Sequence, residues 1–258
     1  MKKKIVALCL CVALAVVAIG GATLAYFTDT DKETNTFTVG NVKIDLQETF
    51  EQDSVLVPGT NKINNVAKVV DVQNTGKTNA YVRVHLAIPA ALVDQEINAY
   101  NDMLHANFTG ASVAAGKWSW HPTMTEGEGW TNNGRANNNT YNTEIDGVEY
   151  TVWVITYRTA LAPNEKAEGA ISQVYLDKYV NAVQNGDGTI TYTKPFFTDR
   201  QGGTVDESKT MNYTIAADGK IPVYVVAEGC QVDGFADAYE ALNTSFGTPG
   251  SYTVTWHN

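Results

Sequence analysis

An all-β fold, a two-sheet sandwich with two short helices and long loops decorating it, is what this chain of 258 residues predicts. Short segments that alternate apolar and polar residues, or are apolar throughout, recur along the chain between Gly, Asn, Asp and Pro turn signals. Only two segments show a helical period. Charged residues make up 18% and aromatic residues 10%, which fits a β-rich surface protein better than a helical enzyme or a disordered tail. No internal repeat or linker divides the chain, so one domain is expected after the leader described next.

Residues 1–25 read as a signal peptide. Lys2, Lys3 and Lys4 precede an uncharged apolar run, Ile5 to Ile19, and then the small-residue stretch Gly20 to Ala25. Thr23 and Ala25 supply the small −3 and −1 side chains for cleavage between Ala25 and Tyr26. The uncharged stretch reaches Thr28 and is also long enough for an uncleaved membrane anchor. Cleavage is favoured because polar, acidic sequence follows Ala25 at once.

The first mature strand is expected over Phe37–Leu46. Phe37 and Val39 fall on odd positions, whereas Val42, Ile44 and Leu46 fall on even ones, so a bulge or bend is expected at Gly40-Asn41. Asn74 to Lys77 form a turn into a strand with Val82, Val84, Leu86 and Ile88 on one face. Tyr81, Arg83 and His85 occupy the other, where His85 points outward. After Pro89, the spacing of Val93, Ile97, Tyr100 and Leu104 predicts an amphipathic helix, with Asp94, Gln95, Asn98 and Asp102 opposite.

Residues 110–146 show no sustained period and read as long loops with short strands. Glu149–Thr159 is apolar on both faces, as a central strand is. Ala162 to Glu165 turn the chain into Gly169–Asp177, and Asn185-Gly186-Asp187-Gly188 is a hairpin signal before Thr189–Thr193. Ile221–Cys230 is a further strand. A second helix is expected with Asp233 as N-cap and Phe235, Ala238, Tyr239, Leu242 and Phe246 on one face, ended by Gly247 and Pro249. Tyr252, Val254 and Trp256 suggest a closing strand.

Net charge is −10, and −13 without the three signal lysines, which argues against nucleic acid and against anionic membranes as partners. Membrane contact is expected only through an uncleaved signal segment. Cys9 and Cys11 leave with that segment, so Cys230 forms no intramolecular disulfide and is expected to be a small buried hydrophobe. No Leu-Pro-x-Thr-Gly sorting signal is present.

Several motifs occur in an order that resembles the TasA/camelysin family of Gram-positive surface proteins. Gly20, Gly21, Ala25, Tyr26, Phe27 and Asp29 are followed by Asn35, Phe37, Gly40, Val42, Ile44 and Leu46. Val57-Pro58-Gly59, Val72 to Gly76, Asn79 to Val84, Gln173 to Asp177 and Ile221 to Glu228 follow. The resemblance is weakest over residues 110–149 and 181–209. It implies a jelly-roll form of the sandwich over residues 26–258 and cleavage by a SipW-like signal peptidase. It also implies secretion to the extracellular matrix or cell surface, with other copies of itself, and other matrix or surface proteins, as partners.

The expected role is a non-enzymatic biofilm-matrix or surface-fibre subunit that needs no cofactor. The candidate donor segment is the flexible stretch 26–36, with Tyr26, Phe27, Thr28 and Asp29 at its start and Phe37 at the strand beyond. Such a segment would pair with an open sheet edge of the next subunit. The alternative is the first strand of the chain's own domain, the arrangement favoured for an isolated chain. A camelysin-type metallopeptidase is the second reading. Against it, His85, His105, His121 and His257 are scattered and none forms a His-Glu-x-x-His pair. Serine-hydrolase and phosphate-loop motifs are absent. Asp29, Asp31 and Glu33 read as a solvated acidic run. Trp118, Trp120 and Trp130 are packing residues or, in a third reading, a carbohydrate platform.

Overall fold

The computed structural model describes residues 28–32, 35–37, 42–50, 54, 56–94, 99–107, 117–119, 140–199, 203–215 and 220–256. In chain order its strands are β1 (Thr28–Lys32), β2 (Asn35–Phe37), β3 (Ile44–Phe50), β4 (Pro58–Gly59), β5 (Val66–Asn74), β6 (Ala80–Pro89), β7 (Leu104–Asn107) and β8 (Trp118–Ser119). They continue with β9 (Thr140–Ile145), β10 (Val148–Leu161), β11 (Lys166–Asp177), β12 (Asn181–Gln184), β13 (Ile190–Phe197), β14 (Val205–Ile215) and β15 (Tyr224–Gln231). Helix α1 (Ala238–Phe246) follows.

The first sheet has the order β2-β1-β15-β6-β10-β8, with β9 also on β10; the second has β3-β5-β11-β4, with β7 also on β11. Every pairing in these two sheets is antiparallel except β11 with β4. Their facing sides share one core. Val82, Val84, Leu86 and Ile88 of β6 and Ile155 of β10 meet Ile44, Leu46, Val70, Val72, Ile171 and Leu176 of the second sheet. This is the all-β sandwich expected. A third sheet, β12-β13-β14, joins the same core through Tyr192 and Ile215, so the layers number more than the two expected.

Several elements differ from the sequence reading. Phe37 and Ile44 do not share a strand: β2 belongs to the first sheet and β3 to the second. Val39 and the expected bulge at Gly40-Asn41 are outside the described residues. The described residues among 93–104 do not form the amphipathic helix; Gln95, Ile97 and Asn98 are outside the described residues. Short 3₁₀ turns occupy Ala90–Leu92 and Ala99–Asn101, Val93 is extended and Leu104 begins β7. Asp94 and Asp102, assigned to a solvent face, are 2% and 5% exposed. The Asp94 N–H donates to Asp102 Oδ1 and Asn101 Nδ2 donates to Asp94 Oδ2, so these buried side chains bond one another rather than facing solvent.

Helix α1 begins later than expected. Asp237, not Asp233, is the N-cap: its carboxylate accepts from Glu240 N, while Glu240 Oε2 accepts from Ala236 N, a reciprocal capping box. Gly247 ends the helix at φ 103°, a conformation that favours glycine, and its N–H donates to Asn243 O. Tyr252, Val254 and Trp256 form no strand. Val254 is buried, Trp256 packs beside Tyr224, and Tyr252 is drawn into a buried polar cluster described below.

Candidate functional site

Two features of the first sheet concern function: the edge where the N-terminal strand lies, and a charged cluster beneath its outer face. β1 lies on β15 in the register Thr28↔Cys230, Asp29↔Gly229, Thr30↔Glu228 and Asp31↔Ala227, and β2 folds back on β1 to make the outermost strand. Thr28, Asp29 and Phe37 of the candidate donor segment therefore lie in the chain's own sheet. Ala25, Tyr26 and Phe27 are outside the described residues, as are both signal-peptide alternatives.

β15 is held firmly from behind. An added Cβ at Gly229 would lie 2.7 Å from Ile44 Cγ2, so only glycine allows β15 to approach the β3 side chain this closely. Cys230 is fully buried with Ala238, Ala241 and Leu242 of α1, and burial pushes its thiol up to about 12, leaving it protonated. That matches the expected buried hydrophobe.

The outer face of β6 is not solvated. Arg83 and His85, 1% and 0% exposed, lie beside Glu228 of β15, itself 2% exposed; Arg83 and Glu228 are direct cross-strand partners. The outward-facing His85 of the sequence reading is thus a buried one, because α1, Tyr141 of β9 and Tyr252 cover this face. Arg83 Nε donates to Glu228 Oε2 at 2.6 Å, Nη1 to Asn243 Oδ1, and Nη2 to both Gly247 O and the Tyr252 hydroxyl. The Tyr252 O–H donates in turn to Glu228, 2.7 Å from each carboxylate oxygen.

His85 Nε2 lies 3.1 Å from Glu228 Oε2 and Nδ1 lies 3.2 Å from the Tyr141 hydroxyl. A carboxylate only accepts, so Nε2 carries the proton, and in the neutral ring Nδ1 accepts from Tyr141. Burial pushes the Glu228 carboxyl up, but His85, Arg83 and Tyr252 together outweigh it and hold it down at about 2. Tyr252 and Tyr141 are pushed up, chiefly by burial and then by the Glu228 charge. The arrangement locks the C-terminal segment onto β6 and β15. It is closed to substrate.

The sequence reading placed Arg83 and His85 on a strand but missed this cluster. The available signal was Glu228, the one charge in the apolar run Val223 to Cys230, together with the Arg83 and His85 pair in an otherwise apolar strand. A charge inside such a strand is buried only with a partner.

His105, half-buried on β7, stacks on Tyr175 and its Nε2 donates to Asp177 Oδ2 at 3.2 Å. Lys194, fully buried, reaches the same Asp177 oxygen at 3.2 Å. The two histidines first in line for a metal are therefore on different sheets and share no partner. His85 has both ring nitrogens engaged, and the Lys194 ammonium beside Asp177 would repel a cation. Among the described residues no group of three or more His, Cys, Asp or Glu could hold a metal ion. These residues do not fit the zinc centre of a metallopeptidase. His121 and His257 are outside the described residues.

Trp118 is 3% exposed, donates from Nε1 to Glu168 O and packs edge-on against Tyr157, so it is a packing residue. Trp120 and Trp130 are outside the described residues. Among the described residues no helix is long and apolar enough to cross a membrane. No curated protein and no solved structure gives a significant match to the chain. The model of the camelysin metallo-endopeptidase family matches residues 1–105, a span that takes in β1 to β6 and the start of β7, with Arg83 and His85. Over that span the chain is similar to the camelysin metallo-endopeptidase family, in line with the resemblance its sequence motifs carry.

Proposed function

We propose that the chain is a secreted structural subunit of extracellular matrix or cell-surface fibres, released by a SipW-like signal peptidase and extended by strand donation. The observation that carries this reading is the β1–β15 ladder. The first described strand adds to the sheet as an outer strand, and the chain leaves that sheet after β2 to enter the second one at β3. Withdrawing β1 and β2 opens the β15 edge without removing any strand from the second sheet. An open edge is a template for another chain's strand. The same segment from a neighbouring copy satisfies the same backbone groups. Because donor and acceptor are different surfaces, the contact is head-to-tail and propagates a filament.

The second reading is a camelysin-type cell-surface metallopeptidase, and the family match over residues 1–105 favours it. The closed Arg83–His85–Glu228 cluster and the chemistry around His105 count against it. Electron microscopy of the processed protein, of a variant lacking residues 26–36 and of a variant with an N-terminal tag tests the first reading. The processed protein should form fibres. The truncated protein should stay folded, soluble and monomeric, and the tagged one should not polymerise. Fibres from the truncated variant would sink strand donation, and unfolding of that variant would assign the segment to its own domain alone. Casein cleavage that is lost with a chelator would establish the peptidase.

A further inference from the structure

The cleft beside His105 lies apart from the β1–β15 edge and from the buried cluster, and aromatic and acidic residues line it. It holds about 250 Å³ and lies among β4, β7, β11, the turn after β11 and β13. Two aromatic pairs wall it. His105 and Tyr175 stack with centroids 4.9 Å apart, and Tyr179 and Phe197 meet at 4.8 Å with an interplanar angle of 53°. Asp177 and Asp199 also line it. Tyr179 is 40% exposed, a large ring offered to solvent at the mouth.

The cleft is built rather than fortuitous. Lys194 anchors its floor: Nζ donates to Tyr100 O at 2.7 Å, Asp102 O at 2.8 Å and Asp177 Oδ2 at 3.2 Å, so none of its three protons is left for a ligand. Asp177 Oδ1 accepts from Tyr179 N at 2.8 Å and fixes the turn that carries the exposed ring. Burial works to raise the Asp177 carboxyl, but His105, Lys194 and the Tyr179 N–H overcome it and hold it below the usual carboxylate range. It is therefore an acceptor at neutral pH.

This lining selects among ligand chemistries. An anion would face Asp177 and Asp199. A cation would meet Lys178, whose Nζ already sits 4.6 Å from the Tyr179 ring centroid. What remains is a neutral ligand with an apolar face to lie on the aromatic rings and hydroxyls at its rim for the carboxylates and phenols. The volume is just below the ~300 Å³ at which sites for drug-sized molecules begin, which suits one sugar ring. We propose that this cleft binds a single neutral pyranose residue of a glycan, which displaces the Lys178 ammonium from the Tyr179 ring to stack there, with Asp177 and Asp199 as hydroxyl acceptors. The proposal does not depend on fibre formation.

Saturation-transfer difference NMR on the processed full-length protein tests it. The probes are the methyl glycosides of glucose, galactose, mannose and N-acetylglucosamine, with choline and inorganic phosphate as charged controls. At least one glycoside should show transfer to its ring C–H protons, at a millimolar Kd. Tyr179→Ala should weaken binding about tenfold, the loss expected for one aromatic contact, whereas Tyr179→Phe should retain it. Asp199→Asn should weaken binding too, and both tests are read only on variants with wild-type melting. No transfer to any glycoside, affinity unchanged in Tyr179→Ala and Asp199→Asn, or binding of choline or phosphate in place of the sugars would each overturn the proposal.

Discussion

Glu228→Gln is the most informative single change, because the group it alters is surrounded by charge and closed to water. In the wild type the carboxylate receives Arg83, His85 and Tyr252 with 2% of its surface exposed. Its folded pKa, held at about 2 against an ordinary value of 4.5, corresponds to roughly 3 kcal/mol of linked stability at about 1.4 kcal/mol per unit. An amide in its place leaves the Arg83 guanidinium buried without a counter-charge, a loss of about 3–5 kcal/mol. Both figures count the Arg83–Glu228 pairing, and they overlap at about 3–4 kcal/mol.

The sign follows from the depressed value. A carboxylate held low contributes stability that is complete above its unfolded value and disappears as pH falls towards about 2. Urea unfolding followed by tryptophan fluorescence, at neutral pH and at steps below pH 5, reads both effects. The variant should be less stable at pH 7 and should lose less than the wild type as pH falls. Replacing Arg83 and Glu228 together by Met and Leu should recover most of the loss, because neither then leaves the other's charge buried. A cost at pH 7 under about 1 kcal/mol, with acid profiles that run parallel, would refute the argument that Glu228 is ionised and paired in the folded chain.

Gly229→Ala should destabilise the fold by about 1–3 kcal/mol, since the new methyl would lie 2.7 Å from Ile44 Cγ2 in a filled core; chemical denaturation measures it, and a neutral result would show that β15 and β3 can part locally. Cys230 should be silent towards a thiol reagent such as 5,5′-dithiobis(2-nitrobenzoate) at pH 8 until denaturant is added, because its thiol is buried and its pKa lies near 12; prompt labelling of the native protein would contradict the packing of α1 on β15.

The strands were readable where both faces are apolar or alternate without interruption. Val152 to Tyr157 declared a central strand, and β10 is flanked by β6 on one side and by β8 and β9 on the other. Asn185 to Gly188 declared the hairpin between β12 and β13. The reading failed where distant chain decides burial. The polar face of β6 looked solvated because nothing in residues 80–89 reveals that Tyr141, Asn243 and Tyr252 come to cover it. The stripe Val93, Ile97, Tyr100 and Leu104 satisfied a helical period, but tertiary contacts won: Asn101 Nδ2 donates to Phe197 O and its Oδ1 accepts from Phe197 N, which ties that turn to β13. The His105 cleft was invisible because its aromatic residues, from Tyr100 to Phe197, come from segments nearly a hundred positions apart.

The register of β1 on β15 joins Thr28 to Cys230 and so spans nearly the whole chain. A chain made from its N-terminus releases β1 first and its partner almost last. From an unfolded chain, closing a loop of ~200 residues costs about 5 kcal/mol in entropy. Once the two sheets have packed, β1 is linked to them by the eleven residues between Lys32 and Ile44, β2 among them, and meets β15 at an effective concentration of roughly millimolar. A strand from a second chain present at about micromolar concentration then starts ~10³-fold behind, a handicap of about 4 kcal/mol. The proposed exchange between copies would therefore be a matter of timing and local concentration: a neighbour's strand has access only in the interval after the β15 edge has formed and before the chain's own N-terminus returns to it, and it matches that N-terminus only where subunits are crowded to about millimolar.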